Sequence, residues 1–281
     1  MSTRQLAAPV RPLLDGGDIP LLGLGTWPLA DAEALAAVAS ALRAGYRLID
    51  TAARYENETG VGRAIAAAGV PRAEVFVTTK LRGAQHGYDR TIQGLDESLA
   101  RLGVDYVDLY LIHWPLPGVG LFVDSWRALV DLRAAGKVRS IGVSNFTARH
   151  IEALVEATGV LPAVNQIELH PDFAQPEARA WHDAHGIVTE AWSPLGAHTD
   201  LLSHPAIAAI AASHGRTPAQ IVLRWHVQIG AVPIPKSADP ERMRENLAVF
   251  DFELGADDMA ALHGIDRGNR IGADPDTNVE L

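Results

Sequence analysis

Eight short apolar runs, each followed by an amphipathic, alanine-rich stretch, predict a (β/α)8 TIM barrel, with a β-hairpin before it and a short C-terminal loop after it. A second observation supports this reading. The runs are continuous rather than alternating, as strands covered on both faces are. A third is the absence of any linker or low-complexity segment in the 281 residues, so 1–281 reads as one domain. Parallel barrels hold about 250 residues in a single domain, and the length forces no division. An open doubly wound sheet is the alternative. Its nucleotide-binding versions carry Gly-x-Gly-x-x-Gly after the first strand, and Gly23-x-Gly25 alone falls short of that.

The elements follow in order. Residues 9–22 read as a hairpin, with Asp15-Gly16-Gly17-Asp18 as its turn. The eight strand runs are 22–25, 47–50, 75–80, 107–113, 140–144, 163–168, 187–192 and 231–235. The helical stretches are 31–44, 58–68, 89–102, 123–135, 147–158, 175–185 and 204–229, with 241–250 after the last run. Ile151, Leu154 and Val155 show the three-and-four spacing of a helix with one apolar face. Asp31 and Thr147 are expected N-caps, and Gly45, Gly69, Gly103, Gly136, Gly159 and Gly186 fall just past helix ends. From Gly268 the tail is polar, rich in Gly, Asp and Pro, and reads as a loop.

Bulk properties exclude several functions. An apolar fraction of 48% with 21% charged residues is ordinary for a globule with a large core. The sequence has no cysteine, which removes disulfides and thiolate metal sites. Residues 1–10 carry no secretory signal, and no apolar run is long enough to span a membrane. A cytoplasmic monomer is expected. A net charge of −10 argues against a general nucleic-acid binder, which needs a broad positive field.

Barrel active sites form where the strands end. The second run closes on Asp50, with Tyr55 five residues on. The third closes on Lys80 and the fourth on His113. Each breaks an otherwise apolar run. A free phenol is a poor acid at neutral pH, because its pKa is about 10, but a lysine ammonium beside it favours the phenolate. A carboxylate next to the lysine keeps it charged and in place. A histidine donates to a carbonyl oxygen or relays a proton. The four together supply an acid for a developing alkoxide and donors that stabilise it. They lack a hydride. Singly, each residue has a structural reading as a satisfied ion pair or a core histidine. Four on one rim make that reading improbable. A metal-dependent hydrolase is a further possibility, but Asp50, His113, Glu168 and His170 are scattered as ligands, and no His-x-His pair ends the first strand.

Five motifs carry a family resemblance. Residues 45–52, followed by Tyr55, Asn57-Glu58 and Val61-Gly62, form the first. Leu111-Ile112-His113-Trp114-Pro115, Gly142-Val143-Ser144-Asn145-Phe146 and Val164-Asn165-Gln166-Ile167-Glu168 are the next three. Ile234-Pro235-Lys236-Ser237 with Arg242 and Glu245-Asn246 is the last. In this order they resemble the aldo-keto reductases, in particular the bacterial 2,5-diketo-D-gluconic acid reductase-like members, from the hairpin to about Phe252.

The resemblance implies that Tyr55 is the acid, Lys80 and Asp50 its tuning pair, and His113 the residue that orients the carbonyl. It implies that Ser144, Asn145 and Gln166 bind a nicotinamide carboxamide and that Trp192 stacks on the ring. Gly25, Thr26, Trp27, Ser193, Leu195, Gly196, Glu245 and Asn246 complete the implied cofactor set. Trp27 and Trp114, with His113, wall the pocket for a small carbonyl substrate: an aldehyde, dicarbonyl or keto-sugar. Lys236, Ser237, Arg242 and Asn246 lie at the eighth strand end and the start of its helix. That cluster suits the 2′-phosphate of NADPH. Two departures from relatives stand out. Arg82 occupies a position where many carry an aromatic, implying a more polar pocket floor. The tail is short, so Phe122, Asp274, Asp276 and Asn278 are not carried over as substrate contacts. A cofactor-binding regulatory protein on the same fold is the rival reading. The intact tetrad favours the enzyme.

Overall fold

The structure, a computed structural model, describes residues 8–279. A hairpin of β1 (Val10–Pro12) and β2 (Asp18–Pro20) comes first, paired antiparallel. Eight parallel strands follow: β3 (Leu24–Gly25), β4 (Leu48–Asp50), β5 (Phe76–Leu81), β6 (Val107–Ile112), β7 (Val138–Ser144), β8 (Val164–Glu168), β9 (Val188–Trp192) and β10 (Val232–Pro233). Each pairs with its sequence neighbour, from β3 through to β10. The sheet closes on itself. Gly23 and Gly25 donate their N–H groups to Pro233 and Pro235 carbonyls, both at 3.1 Å, and Gly25 bridges to Lys236.

Alternation along each strand separates two cores. Outward residues such as Ile49, Val77, Tyr110, Ile112 and Val143 pack under the helices. Inward residues near the strand starts (Leu48, Leu109, Val164, Val188 and Val232) form a smaller cluster with Leu13 and Ile19 of the hairpin. The hairpin therefore plugs the end of the barrel where strands begin. Two residues further along, the inward positions turn polar: Asp50, Gln166 and Glu190 are buried there. The site must lie at the other rim.

The outer helices are α1 (Asp31–Ala44), α2 (Glu58–Ala67), α3 (Tyr88–Leu102), α4 (Phe122–Ala134), α5 (Ala148–Thr158), α6 (Pro176–Ala184), α7 (Pro205–His214), α8 (Pro218–Gln228), α9 (Pro240–Leu247) and α10 (Ala256–His263). Several boundaries differ from expectation. The stretch 204–229 is two helices. Gly215 ends α7 at φ 59°, and Thr217 and Gln220 form a capping box that starts α8 at Pro218. Asp31 is the first helical residue rather than the N-cap, which is Ala30. Its carboxylate instead accepts the Gly60 N–H at 2.6 Å, tying α1 to α2. The 241–250 stretch is α9 plus a turn of 3-10 helix at Ala248–Phe250, and α10 was not foreseen. Thr147 does cap α5, and Gly45 closes α1 in the left-handed region. The expectation for residues 1–10 falls largely outside the described residues. Among those described, no helix is long and apolar enough to cross a membrane.

Candidate active site

The polar rim holds a connected chain of side chains. Lys80 on β5 is fully buried, and its Nζ donates to Asp50 Oδ1 at 2.6 Å, to the Thr51 carbonyl at 3.0 Å and to the Tyr55 hydroxyl at 3.3 Å. Burial alone would lower the ammonium's pKa. Asp50, then Tyr55 and Glu190, outweigh it and hold Lys80 above the ordinary lysine range. The lysine stays charged while touching the phenol. Tyr55 reaches the rim because a 3-10 turn, Ala53–Tyr55, lifts the chain off the end of β4.

Gln166 on β8 extends the chain inward. Its Nε2 donates to Asp50 Oδ2 at 2.9 Å and to Glu190 Oε2 at 2.5 Å. Glu190 was not singled out from the sequence, although it interrupts the run 187–192 as plainly as Lys80 interrupts its own. Burial, then the Asp50 charge, push its carboxyl up to about 8, against the Gln166 hydrogen bond and Lys80.

His113 follows β6, its ring edge-on to Tyr55 with centroids 5.8 Å apart. Burial first, then the charges of Lys80, Arg54 and His86, hold its pKa well below the usual imidazole value. It is neutral at pH 7, with one N–H to donate. Asn145 donates to the His113 carbonyl at 3.0 Å and to Ser144 Oγ at 3.0 Å, and accepts the Trp192 indole N–H at 2.8 Å. Ser144 Oγ in turn donates to the Gln166 carbonyl at 2.9 Å. Asn145 and Ser193 hold φ values of 62° and 48°, strain stored at the ends of β7 and β9.

These groups line a cavity of about 680 Å³. Of the expected residues, Gly25, Trp27, Asp50, Tyr55, His113, Trp114, Ser144, Asn145, Gln166, Trp192, Ser193, Leu195 and Lys236 share its wall. Thr26, Lys80, Gly196, Ser237, Arg242, Glu245 and Asn246 do not. Thr26 and Lys80 stand behind it, Thr26 Oγ1 bonded to the Asp50 carbonyl at 3.0 Å. Arg54, in the 3-10 turn after β4, and Pro28, Pro194, Ala197, His198 and Ile271, in loops, also line the cavity beyond the expected set. Arg82 is not on the wall, so the polar floor expected from it is not found. Phe122, Asp274, Asp276 and Asn278 also lie away from it.

The anion site expected at the last helix needs a correction. Asp239 caps α9, accepting the Glu241 N–H at 2.8 Å, so a carboxylate already occupies that N-terminus. An anion there would rely on the side chains of Lys236, Ser237 and Arg242. Ser237 Oγ accepts the Asp239 N–H at 3.1 Å, and Asn246 is buried beside Tyr46.

The tail is fastened over the rim. Glu168 accepts the Ile271 and Gly272 N–H groups at 2.6 and 2.8 Å, while Asp172 accepts from Asn269 and Arg267 at 2.9 and 3.2 Å. Buried His170 lies between the two carboxylates, 3.0 Å from Glu168 and 2.5 Å from Asp172.

At the strand ends of a parallel barrel, a lysine-backed phenol, a carboxylate and a neutral imidazole share one rim, an arrangement suited to moving a proton to a carbonyl oxygen. The sequence agrees. Residues 21–267 match the Aldo/keto reductase family, and the chain belongs to it. It is 54% identical over 265 residues to an aldo-keto reductase of Mycolicibacterium smegmatis, covering 94% of this chain and 96% of that one. It is 52% identical over 273 residues to 2,5-diketo-D-gluconic acid reductase B of a Corynebacterium species, covering 97% and 99%. A Gox0644 variant crystallised with NADPH superposes with a TM-score of 0.93 at 48% identity, covering 98% of this chain and all of that one.

Proposed function

We propose that this protein reduces small aldehydes and ketones, dicarbonyls and keto-sugars among them, to alcohols with NADPH, and that Tyr55 delivers the proton. One observation carries the reading: Lys80 Nζ sits between Asp50 at 2.6 Å and the Tyr55 hydroxyl at 3.3 Å, at the edge of a cavity that Tyr55 itself lines. NADPH, when bound, supplies the hydride. The residues present fit such a cofactor. The half-buried Trp192 indole, fixed by its bond to Asn145, offers a flat face. Gln166 and Asn145 offer amide oxygens, and Lys236 a cation, on the same wall. The relative bound to NADPH supports the same choice.

Within that site the chain's residues divide the work. His113, neutral, donates a hydrogen bond to the substrate carbonyl and turns it toward Tyr55. The Tyr55 O–H gives its proton to the oxygen as it becomes an alkoxide. Lys80 stabilises the phenolate left behind, and Asp50 keeps Lys80 in place. Trp27, 57% exposed, and Trp114 form apolar walls that exclude water. We read the whole chain as one domain acting as a cytoplasmic monomer on free small molecules, with no nucleic-acid partner.

Tyr55→Phe tests the assignment. Turnover is expected to fall by about 10²- to 10⁴-fold, the range of general acid catalysis. NADPH affinity, read by fluorescence, should change less than threefold. Turnover near that of the parent would remove Tyr55 from the role.

A further inference from the structure

Glu190 has no part in the mechanism just given, yet it is a fully buried carboxyl in the barrel lumen. Isolated buried carboxyls are costly, so its contacts need a reason. Its Oε2 accepts from Gln166 Nε2 at 2.5 Å, and its Oε1 has no hydrogen-bond partner among the described residues. The other hydrogen of the same Gln166 amide goes to Asp50 Oδ2 at 2.9 Å.

This geometry fixes which way the amide faces. A primary amide has two N–H donors and one carbonyl acceptor. Two carboxyl groups as partners take both donors, which settles the amide orientation from the network. Oε1 is then the one polar atom of the side chain left over, and Gln166 lines the cavity. Asp50 alone would hold one hydrogen and leave the amide free to swing about it. Glu190 holds the second.

We propose that Glu190 is a positioning residue: it locks the Gln166 amide with its carbonyl oxygen toward the cavity, so that the site selects a nicotinamide ring bearing a carboxamide N–H. This rests on the cofactor reading above. Gln166 touches the cofactor, and Glu190 acts through Gln166. Burial and the Asp50 charge raise the Glu190 pKa, while the Gln166 hydrogen bond and Lys80 favour the ionised form, in which Glu190 can only accept from Gln166.

The test compares NADPH with its 3-acetylpyridine analogue, in which a methyl replaces the carboxamide NH2. Dissociation constants come from quenching of tryptophan fluorescence, without turnover. The parent is expected to bind NADPH about tenfold more tightly than the analogue, on the order of one hydrogen bond. Glu190→Met keeps the volume and loses the acceptor, and should cut that ratio to about threefold or less. Glu190→Gln, which still accepts from Gln166, should restore it. A Glu190→Met protein that melts like the parent and keeps the full ratio overturns the proposal while leaving the reductase reading intact. A parent with no preference overturns the carboxamide contact beneath it as well. The parent also gives an answer that needs no Glu190 variant. The Gln166 side-chain amide should show two NMR signals, both protected from exchange and identified by their loss in Gln166→Ala. Freely exchanging signals would overturn the lock.

Discussion

Arg242 carries its guanidinium into solvent, 77% exposed and 3.9 Å from Asp239, so engaging a ribose 2′-phosphate would cost it no strong internal pair. Because Asp239 already caps α9, the phosphate would depend on this side chain more than on the helix N-terminus. Arg242→Ala is therefore expected to weaken NADPH about tenfold, the discount for exposure included, and to leave NADH nearly unchanged. Fluorescence titration with both cofactors checks it; equal losses would show that Arg242 supports the loop instead. Legibility at this scale followed chemistry. Asp50, Lys80 and His113 were readable because each is a polar residue in or at the end of an apolar run, and Tyr55 because it follows so closely. Glu190 gives the same signal two residues before the strand's last residue, Trp192, so it lies below the strand ends where barrel sites form. Arg54, in a short turn, and Ile271, in the tail, give none, because the path of such irregular segments toward a cavity is set by tertiary packing rather than by periodicity.

Helix packing around the barrel depends on close backbone contact at α2. A Cβ placed on Gly62 would lie 2.0 Å from the Leu102 carbonyl oxygen, backbone against backbone, with no flexible group to yield. Gly62→Ala should cost about 1–3 kcal/mol, as overpacking does, and lower the melting temperature by roughly 2–4 °C for each kcal/mol. A thermal melt within a degree of the parent would mean that α2 and α3 can part without penalty. The tail is the other element with a consequence. Ile271 lines the cavity and is held by Glu168, so a chain ending at Asp266 should change its ranking of aldehydes, dicarbonyls and keto-acids more than its NADPH affinity. An unchanged ranking over a mixed panel would take the tail out of the pocket. The strand-helix rhythm is legible through all eight units, and the differences lie in the division of 204–229 and in α10 beyond the last unit. Gly215 and Pro218 mark the break between α7 and α8 clearly. Residues 213–218, Ser-His-Gly-Arg-Thr-Pro, interrupt the apolar spacing between them, so the division is legible from breakers rather than from periodicity. The helix α10 went unread because it lies beyond the eighth unit and has little to bury apart from Leu262.

Across the whole molecule, burial of neutral imidazoles ties stability to pH. Burial lowers His86 and His182 to about 4 and takes His113 well below its usual value. His226 stands apart, since its two ring nitrogens face the Val222 and Leu169 carbonyls at 2.8 and 2.9 Å, a geometry that favours the ring with two N–H groups. The geometry at His182 fits the neutral ring: Asn165 Nδ2 donates to Nε2 at 2.9 Å, and Nδ1 faces Thr189 Oγ1 at 2.9 Å. As pH falls below about 6.5, the unfolded chain takes up protons at His86, His113 and His182 that the folded chain refuses. Each imidazole then removes stability on the order of 1 kcal/mol per pH unit until its folded pKa is reached. Glu190 acts in the opposite sense, since its raised pKa costs stability as pH climbs from the ordinary carboxylate range toward about 8. Three imidazoles against one carboxyl leave a net loss on acidification. The window from pH 6.5 to 5 isolates it, because ordinary carboxylates titrate near 4. The melting temperature is expected to fall steadily across that window. Removing one imidazole by His86→Gln should make the fall shallower, whatever it does to stability at pH 7, because the slope counts protons and not contacts. A melting temperature that stays flat from pH 6.5 to 5 would show that these histidines take up protons in the folded protein. His113 would then be charged in that window as well, and its place as a neutral donor to the carbonyl would be lost along with the stability argument.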